Sequence, residues 1–248
     1  MWWFAALHAN LLLLYRRAAA DGSGHPARRP LLDAGCGTGG LLSRLAAEHK
    51  LGTVIGLDAD RLACVRAAAK SGRAICAGSV DALPFADAVF GAIFSADVLC
   101  HAGVDERTAL AQFHRCLGER GILVLNLPAY HWMLSHHDVA VSNARRYTRA
   151  GILQLLQAAG FRVVFAGYWN MVLFPLMVLT RKLLPAGDAA ASDVRPYPAA
   201  VEALCRAATA VERALLGCGL RLPFGGSVIA VAAKEAVPPA TSREARHA

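Results

Sequence analysis

Short apolar runs alternate with longer stretches of helical periodicity along most of the chain. Glycine, proline and aspartate residues, which favour turns, separate the runs. Strands that alternate with helices of about 10–15 residues are typical of a parallel sheet with right-handed crossover connections. The predicted strands are 29–33, 53–58, 73–77, 89–95, 122–126, 161–168 and 227–233, and the predicted helices are 2–19, 39–50, 60–70, 106–117 and 149–159.

The alternation breaks after residue 169, where apolar helical stretches are separated by prolines. The pattern therefore predicts an N-terminal helical cap (1–27), an α/β core (28–169), an apolar helical insertion (170–226), a last core strand (227–236) and a disordered tail (237–248). We expect the cap and the insertion to cover a substrate pocket at the carboxyl ends of the strands or to contact a membrane.

Composition narrows the class of protein. Hydrophobic residues make up 56% of the 248 residues and the mean hydropathy is +0.39, which excludes a disordered chain. The net charge of +8 leaves nucleic acid, anionic lipid or an anionic substrate as partners. The seven cysteines show neither a CxxC pair nor zinc-ligand spacing, so we expect reduced thiols, a cytoplasmic location and no metal. The start of the chain lacks the features of a signal peptide, and no apolar run reaches the length of a membrane span.

The clearest candidate site is the glycine-rich turn 33–40, which lies between a predicted strand and a predicted helix. Glycines there allow a tight turn and let a ligand approach the backbone. Their spacing also satisfies the dinucleotide pattern GxGxxG, so the glycines alone leave an NAD enzyme open. Asp33, which ends the strand, favours a cofactor that carries an ammonium and a sulfonium over a pyrophosphate. Asp58 ends the next strand, where a carboxylate accepts hydrogen bonds from both ribose hydroxyls.

Four segments together resemble the class I S-adenosylmethionine-dependent methyltransferases. Segment 31–39 resembles their motif I, 77–85 their third-strand loop, 95–101 the end of their fourth strand, and 117–123 the turn before their fifth strand. The resemblance implies an α/β fold, with a seven-stranded mixed sheet in three αβα layers and an antiparallel last strand. It implies S-adenosyl-L-methionine as the cofactor and S-adenosyl-L-homocysteine as its product. The cofactor-binding residues so implied are Asp33, Gly35, Cys36, Gly37, Gly39, Asp58, Ala59, Ser79, Val80, Asp81, Ser95 and Asp97.

This sequence departs from the family pattern at Ser79, where many relatives have an aspartate that accepts from the adenine amino group. The departure shifts that expected contact to Asp81 or weakens it. Segments 2–4 and 135–147 resemble a bacterial subgroup whose members are often encoded with lipid, polysaccharide and secondary-metabolite pathways. The resemblance and the apolar insertion together predict a small lipophilic methyl acceptor, with O-methylation favoured, and leave a peripheral contact with the inner face of the membrane open.

For catalysis we predict that His137, oriented by Asp138, is the general base on the acceptor, because its loop follows the fifth strand at the carboxyl edge of the sheet. Arg146 would stabilise an anionic acceptor, and Tyr147 would wall the pocket or donate a hydrogen bond. The alternative is a structural latch, in which His137 and Asp138 tie the loop to the arginine pair 145–146.

Three other functions are weighed against methyl transfer to a small molecule. An NAD-dependent oxidoreductase would need a hydride-transfer site, which the sequence does not display. A cofactor-binding but inactive partner subunit of a methyltransferase complex would keep the glycine turn. An RNA methyltransferase would suit the positive charge, but the chain carries no appended RNA-binding motif, and segment 126–129 matches the NPPY-type tetrad only loosely, so nucleic acid is not the expected partner. The oligomeric state does not follow from the sequence.

Overall fold

The computed structural model describes residues 1–21, 29–48, 51–134, 138, 142–183 and 197–235. In this part of the chain strands and helices alternate through the core, as the apolar pattern predicts. The strands are β1 (Leu31–Ala34), β2 (Val54–Asp58), β3 (Ile75–Ala77), β4 (Phe90–Ala96), β5 (Leu117–Pro128), β6 (Phe161–Trp169) and β7 (Ser227–Lys234). The helices are α1 (Trp2–Ala20), α2 (Gly40–Ala46), α3 (Arg61–Ser71), α4 (Glu106–Cys116), α5 (Arg149–Ala158), α6 (Phe174–Leu183) and α7 (Ala199–Gly217).

The seven strands form one mixed sheet in the order β3-β2-β1-β4-β5-β7-β6. The pairs among β1 to β5 are parallel, whereas β7 lies antiparallel between β5 and β6. The predicted seven-stranded mixed sheet with an antiparallel last strand is therefore confirmed. Because β1 to β5 are parallel, their carboxyl ends lie along one edge of the sheet. The strand order reverses between β1 and β4, and ligands bind at such a switch point.

Neighbouring residues of a strand point to opposite faces, so each buried strand contributes to two cores. Ile93 packs into the core under α4 and α5, while Phe94 packs into the core under α1, α2 and α7. The same division separates Leu32 from Leu31. Helices on both faces of a sheet give the three-layer αβα arrangement that was predicted.

Three helices begin where a polar side chain caps the first turn. Asp60 accepts from the backbone N–H of Leu62, Asp105 from that of Thr108, and Thr148 from that of Gly151. α5 begins at Arg149, directly after Thr148, where the predicted helix 149–159 also begins.

Most element bounds differ from the predicted ones by no more than two residues, and two differ by more. α2 ends at Ala46 rather than at residue 50. β5 begins at Leu117 rather than at residue 122, because Leu117 pairs with Phe90 across an irregularity in the ladder. Both differences lie at element ends, where sequence patterns are least informative.

The N-terminal helix, which we expected to cap the pocket, lies on a face of the sheet. Its buried residues include Leu7, Leu11 and Tyr15, which belong to the core shared with α2. Its first turn reaches the carboxyl edge, where Trp3 stacks on Trp169 at the end of β6 with ring centroids 4.5 Å apart. The predicted disordered tail, 237–248, lies outside the described residues.

Candidate active site

The turn after β1 is held against the end of β2. The backbone N–H groups of Gly35 and Cys36 both donate to the carbonyl of Leu57, at 2.8 and 2.9 Å. Gly35 and Gly39 have φ values of +80°, which favour glycine. A Cβ on Gly35 would lie 2.2 Å from Cγ2 of Val98. The turn therefore requires glycine for both its backbone shape and its close packing.

Gly37, at the tip of the turn, faces open space. Its φ is +51°, and a Cβ built on it would meet no heavy atom within 4 Å. Its N–H donates to Oδ2 of Asp58 at 2.7 Å, while Oδ1 of Asp58 accepts from the N–H of Asp60 at 2.9 Å. The tip of the turn and the carboxylate that ends β2 thus border one open cradle.

Asp33 lies beneath this turn with only 1% of its surface exposed. Its Oδ2 is buried without a hydrogen-bond partner. Burial raises the pKa of Asp33 to about 7, an effect that the backbone N–H of Leu42 opposes and the charge of Asp58 reinforces. A buried carboxyl with an unpaired oxygen beside an open cradle is suited to a cationic ligand.

The loop after β3 borders the cradle on its other side. Ser79 accepts from the backbone N–H of Asp81 at 3.1 Å, and Val80 is 4% exposed within the core. Oδ2 of Asp81 accepts from the N–H of Asp105 at 3.2 Å, while its Oδ1 is buried without a partner. The loop therefore presents one unpaired carboxylate oxygen of Asp81. With Ser79 in place of the usual aspartate, Asp81 is the residue expected to contact the adenine amino group.

A hydrogen-bonded relay at the ends of β4, β5 and β6 did not emerge from the sequence. The indole N–H of Trp169 donates to Oδ1 of Asn126 at 2.7 Å, and Nδ2 of Asn126 donates to Oδ1 of Asp97 at 2.9 Å. Asn126 is fully buried in the otherwise apolar run 122–128 of β5, and this single amide in an apolar run was the available signal. Ser95, on the same strand end as Asp97, is 1% exposed and its hydroxyl is without a partner.

The structure brings the predicted cofactor-binding residues to one edge of the sheet. The glycine turn follows β1, Asp58 and Ala59 end or follow β2, the loop 79–81 follows β3, and Ser95 and Asp97 lie at the end of β4. Because β3, β2, β1 and β4 are neighbours in the sheet, these strand ends lie side by side.

The predicted catalytic residues lie on the loop that follows β5. Asp138 is fully buried, and both of its carboxylate oxygens accept from Arg146, at 3.0 Å each. Arg146 also donates to the carbonyl of Ala129 at 2.9 Å, so the pair ties the loop to the end of β5. His137 lies outside the described residues.

Tyr147 is likewise held within the protein. Its hydroxyl lies 2.9 Å from the carbonyl oxygen of Leu99 and 2.7 Å from Oε2 of Glu106. Burial, followed by the hydrogen bond and charge of Glu106, raises the pKa of Tyr147 well above its ordinary value. Through these contacts Tyr147 ties the segment that follows β5 to the segment that follows β4.

Residues 32–125 match the family model of a methyltransferase domain. This match covers the glycine turn, Asp58, the loop 79–81 and Asp97, which are the residues that border the cradle. Residues 32–125 therefore form a methyltransferase domain, and its cofactor is S-adenosylmethionine. An NAD-dependent oxidoreductase is therefore set aside.

Solved structures agree with the fold of this methyltransferase. One is geranyl diphosphate methyltransferase in complex with S-adenosylmethionine, with 16% identity, a TM-score of 0.58, and coverage of 92% of this chain and 85% of that chain. Another is the YcgJ protein of Bacillus subtilis, with 17% identity, a TM-score of 0.58, and coverage of 93% and 100%. A third is a complex between the Haloferax volcanii Trm112 methyltransferase activator and a candidate methyltransferase, with 18% identity, a TM-score of 0.58, and coverage of 89% of each chain. At these identities the likeness shows the fold alone, and no curated protein matches the chain.

The residues of the methyltransferase fit S-adenosylmethionine, its cofactor. The ligand is a nucleoside that carries a sulfonium and an ammonium. The cradle offers an open backbone tip at Gly37, a carboxylate at Asp58, and the unpaired buried oxygen of Asp33. A cation close to Asp33 would satisfy that oxygen and favour its ionised form.

An aromatic cluster lies at the same edge of the methyltransferase, where β5 and β6 end. Tyr130 stacks on Tyr168 with centroids 5.2 Å apart and on Trp132 at 5.8 Å, and Phe174 of α6 packs against Tyr130 at 5.5 Å. Phe224, which precedes β7, lies 6.0 Å from Phe174. Trp132 and Phe224 remain 52% and 41% exposed, so the cluster presents an open apolar surface.

Proposed function

We propose that this methyltransferase transfers the methyl group of S-adenosylmethionine to a small lipophilic acceptor, with a hydroxyl oxygen as the favoured site of methylation. The observation that carries the proposal is the open aromatic cluster of Tyr130, Trp132, Tyr168, Phe174 and Phe224, which adjoins the strand ends that border the cofactor cradle. Pockets for apolar ligands are lined mainly by such side chains, with few polar groups.

The cofactor roles proposed for the cradle follow from its geometry. Asp58 would accept the ribose hydroxyls, the backbone of the glycine turn would lie along the nucleoside, and Asp33 would face positive charge. Asp81 would accept from the adenine amino group, since one of its oxygens is buried without a partner. The bound cofactor supplies an electrophilic methyl group, and the protein aligns the acceptor and excludes water.

The apolar character of α6 supports a lipophilic acceptor. Leu176 and Leu179 are 57% and 50% exposed, and Val172 in the turn before α6 is 52% exposed. The structurally similar geranyl diphosphate methyltransferase is named for an isoprenoid acceptor, which makes this acceptor class a reasonable first choice for assay. We propose a cytoplasmic protein that contacts the membrane peripherally; no helix among the described residues is long and apolar enough to cross a bilayer.

The pair of Asp138 and Arg146 supports the latch hypothesis for the loop after β5. A buried bidentate ion pair that also bonds the carbonyl of Ala129 holds the loop in one position. Arg145 adds to it by donating to the carbonyls of Leu99 and His101. The hypothesis that His137 is the general base stays a prediction, which the variant His137→Ala tests through turnover, cofactor affinity and melting temperature.

The proposed function is tested by transfer of radiolabelled methyl groups to a graded panel of acceptors. The panel would contain long-chain phenols, isoprenoid alcohols, polar catechols and transfer RNA. Preferential labelling of the lipophilic hydroxyl compounds is expected. Turnover confined to polar acceptors would contradict the proposed acceptor class, and turnover of RNA would replace it. Cofactor binding with turnover only after addition of a second protein would favour the partner-subunit alternative.

A further inference from the structure

Three features describe the position of Asp97 in the fold. It directly follows β4, it has a φ of +56°, and it precedes Val98, whose side chain packs against Gly35. Non-glycine residues rarely adopt positive φ, and the conformation costs about 1–2 kcal/mol. Here the backbone is held by a hydrogen bond of 2.8 Å from the N–H of Asp97 to the carbonyl of Asn126. The strained residue therefore sits beside the glycine turn in a fixed position.

The relay fixes which group faces Asp97. An indole N–H only donates, so Trp169 requires the side-chain oxygen of Asn126 to point towards it. The amide nitrogen of Asn126 must then point towards Asp97, where it donates to Oδ1 at 2.9 Å. Oδ2 of Asp97 accepts no hydrogen bond within the described part of the chain. Because Asp97 is partly exposed and Oδ2 is not among the buried unpaired atoms, this oxygen keeps some exposure at the end of β4.

A further set of hydrogen bonds, from residues 170 and 172 to Glu212, holds the segment that follows Trp169 in this relay. Trp169 is fully buried and stacked on Trp3. The next residue, Asn170, donates its backbone N–H to Oε2 of the buried Glu212 at 2.6 Å, and Val172 donates to Oε1 at 2.7 Å. The ring that orients Asn126 is thus held from both sides.

The electrostatic setting of Asp97 agrees with a proton-accepting role. Burial raises the pKa of Asp97 to about 7, while the hydrogen bond from Asn126 and the charge of Arg146 oppose the rise. The neighbouring thiol of Cys100 has a raised pKa and stays neutral, so it adds no charge near neutral pH. An acid with a pKa near the working pH is suited to general base catalysis.

We propose that Asp97, in place of His137, is the catalytic residue that takes the proton of the acceptor, and that Asn126 and Trp169 are its positioning residues. The inference rests on the proposed function. In the transfer, the acceptor O–H bond breaks and its proton goes to Oδ2 of Asp97. The acceptor oxygen forms the new C–O bond to the methyl carbon, and the electron pair of the broken C–S bond remains on sulfur. The sulfonium becomes a thioether, and the protonated carboxyl returns its proton to solvent.

The inference is tested without knowledge of the acceptor. Sinefungin carries an ammonium-bearing carbon where S-adenosylmethionine has its sulfonium and methyl group, so its extra cation reports on an anion beside the methyl position. S-adenosylhomocysteine lacks that group and serves as the reference ligand. Calorimetry at pH 8 measures both affinities. We expect sinefungin to bind about tenfold or more tightly than S-adenosylhomocysteine, because a close charge pair in a shielded site is favourable.

The variant Asp97→Asn should bring the ratio of the two affinities close to one, because only sinefungin loses a charge partner at the methyl position. Asparagine tolerates positive φ and keeps an oxygen for the bond from Asn126, so the variant should fold. Asp81→Asn, at the other side of the cradle, is the matched control and should keep the wild-type ratio. The preference should also fade as the pH falls below about 7, when Asp97 becomes neutral.

The positioning role of Trp169 and Asn126 is tested by the pH dependence of the sinefungin preference. Trp169→Phe keeps a ring but removes the N–H that orients Asn126. Losing the aligned amide should raise the pKa of Asp97, because that hydrogen bond lowers it. The sinefungin preference should then disappear at a higher pH than in the wild type. A pH profile identical to the wild-type profile would contradict the assignment of Trp169 and Asn126.

Two results would overturn the proposal for Asp97. Equal weakening of both ligands in Asp97→Asn would make it a cofactor-holding residue, and an unchanged sinefungin preference would place its charge away from the methyl position. A wild-type protein that binds neither ligand would instead overturn the cofactor cradle and, with it, this inference. The binding measurements distinguish these three outcomes from one another.

Discussion

Asp58 shows how one side chain organises the cofactor cradle. Its two oxygens already hold the turn tip through Gly37 and the start of α3 through Asp60. A carboxylate has about four acceptor positions, so it keeps capacity for two ribose hydroxyls. The side chain therefore joins the shape of the turn to recognition of the ligand.

Replacing Asp58 by alanine should weaken the binding of S-adenosylhomocysteine by about 2 kcal/mol, or roughly thirtyfold, because ligand hydroxyls and the N–H of Gly37 lose their acceptor. Asp58→Asn, which keeps one carbonyl oxygen, should fall between. Glu119→Ala, an exposed acid on β5 away from the cradle, is the charge-matched control. Calorimetry measures all four proteins. Equal affinity in Asp58→Ala and Glu119→Ala would contradict the ribose role.

The proton balance of cofactor binding is a second prediction at this scale. Burial raises the pKa of both Asp33 and Asp97 to about 7, so both are partly protonated at pH 6.5. A bound cation favours the ionised carboxylates and lowers these pKa values, and protons are therefore released. S-adenosylmethionine should release more protons than S-adenosylhomocysteine, which lacks the sulfonium charge.

Calorimetry at pH 6.5 in two buffers with different ionisation enthalpies measures this release. Asp33→Asn should reduce it, and the double variant with Asp97→Asn should nearly abolish it. Release should also vanish in the wild type at pH 9, where both carboxyls are already ionised. Undiminished release in the double variant would show that other groups exchange the protons.

At the scale of elements, α7 buries several polar side chains and exposes several apolar ones. Cys205, Thr209 and Glu212 face inward, whereas Leu204 and Val211 are 68% and 60% exposed. The inward glutamate is stabilised because its two oxygens accept from the backbone N–H groups of residues 170 and 172. Each of those N–H groups would otherwise be without an acceptor in the protein interior.

Glu212→Ala should lower the free energy of unfolding by about 3 kcal/mol, since two backbone donors lose their partner at about 1–3 kcal/mol each. Glu212→Gln, which retains one acceptor oxygen, should cost less. The neighbouring exposed position supplies the control, because Val211→Ala should change stability by less than about 0.5 kcal/mol. Urea denaturation measures the three variants. Equal stability of Glu212→Ala and Val211→Ala would mean that other groups satisfy these donors.

Elements with a local signal were predictable from the sequence. The turn after β1 is specified by glycines and flanking acids, and the cap at Thr148 by its own side chain. The reversed face of α7 was not predictable, because periodicity shows that a helix has two faces but not which one is buried. The relay from Trp169 to Asn126 joins residues 43 positions apart, and only the pairing of β6 and β7 beside β5 brings them together.

At the scale of the whole molecule, the excess of apolar residues and of positive charge can be explained together. The mean hydropathy of +0.39 is reflected in exposed apolar side chains, of which Val201, Leu204 and Val211 form an apolar surface along one face of α7. The net charge of +8 favours an anionic partner surface. Exposed apolar side chains on a basic protein are typical of interfacial membrane contact.

The last prediction is that this surface binds anionic bilayers. The wild type should sediment with vesicles of phosphatidylcholine and phosphatidylglycerol, less with phosphatidylcholine alone, and less at high salt, because charge attraction is screened. The variant Val201→Ser/Leu204→Ser/Val211→Ser should lose about tenfold or more in affinity, since its apolar face no longer enters the interface. Leu62→Ser/Val65→Ser on α3, whose residues are 57% and 66% exposed, is the matched control. Equal loss in the control, or no sedimentation of the wild type, would contradict the membrane contact and leave the surface for a protein partner.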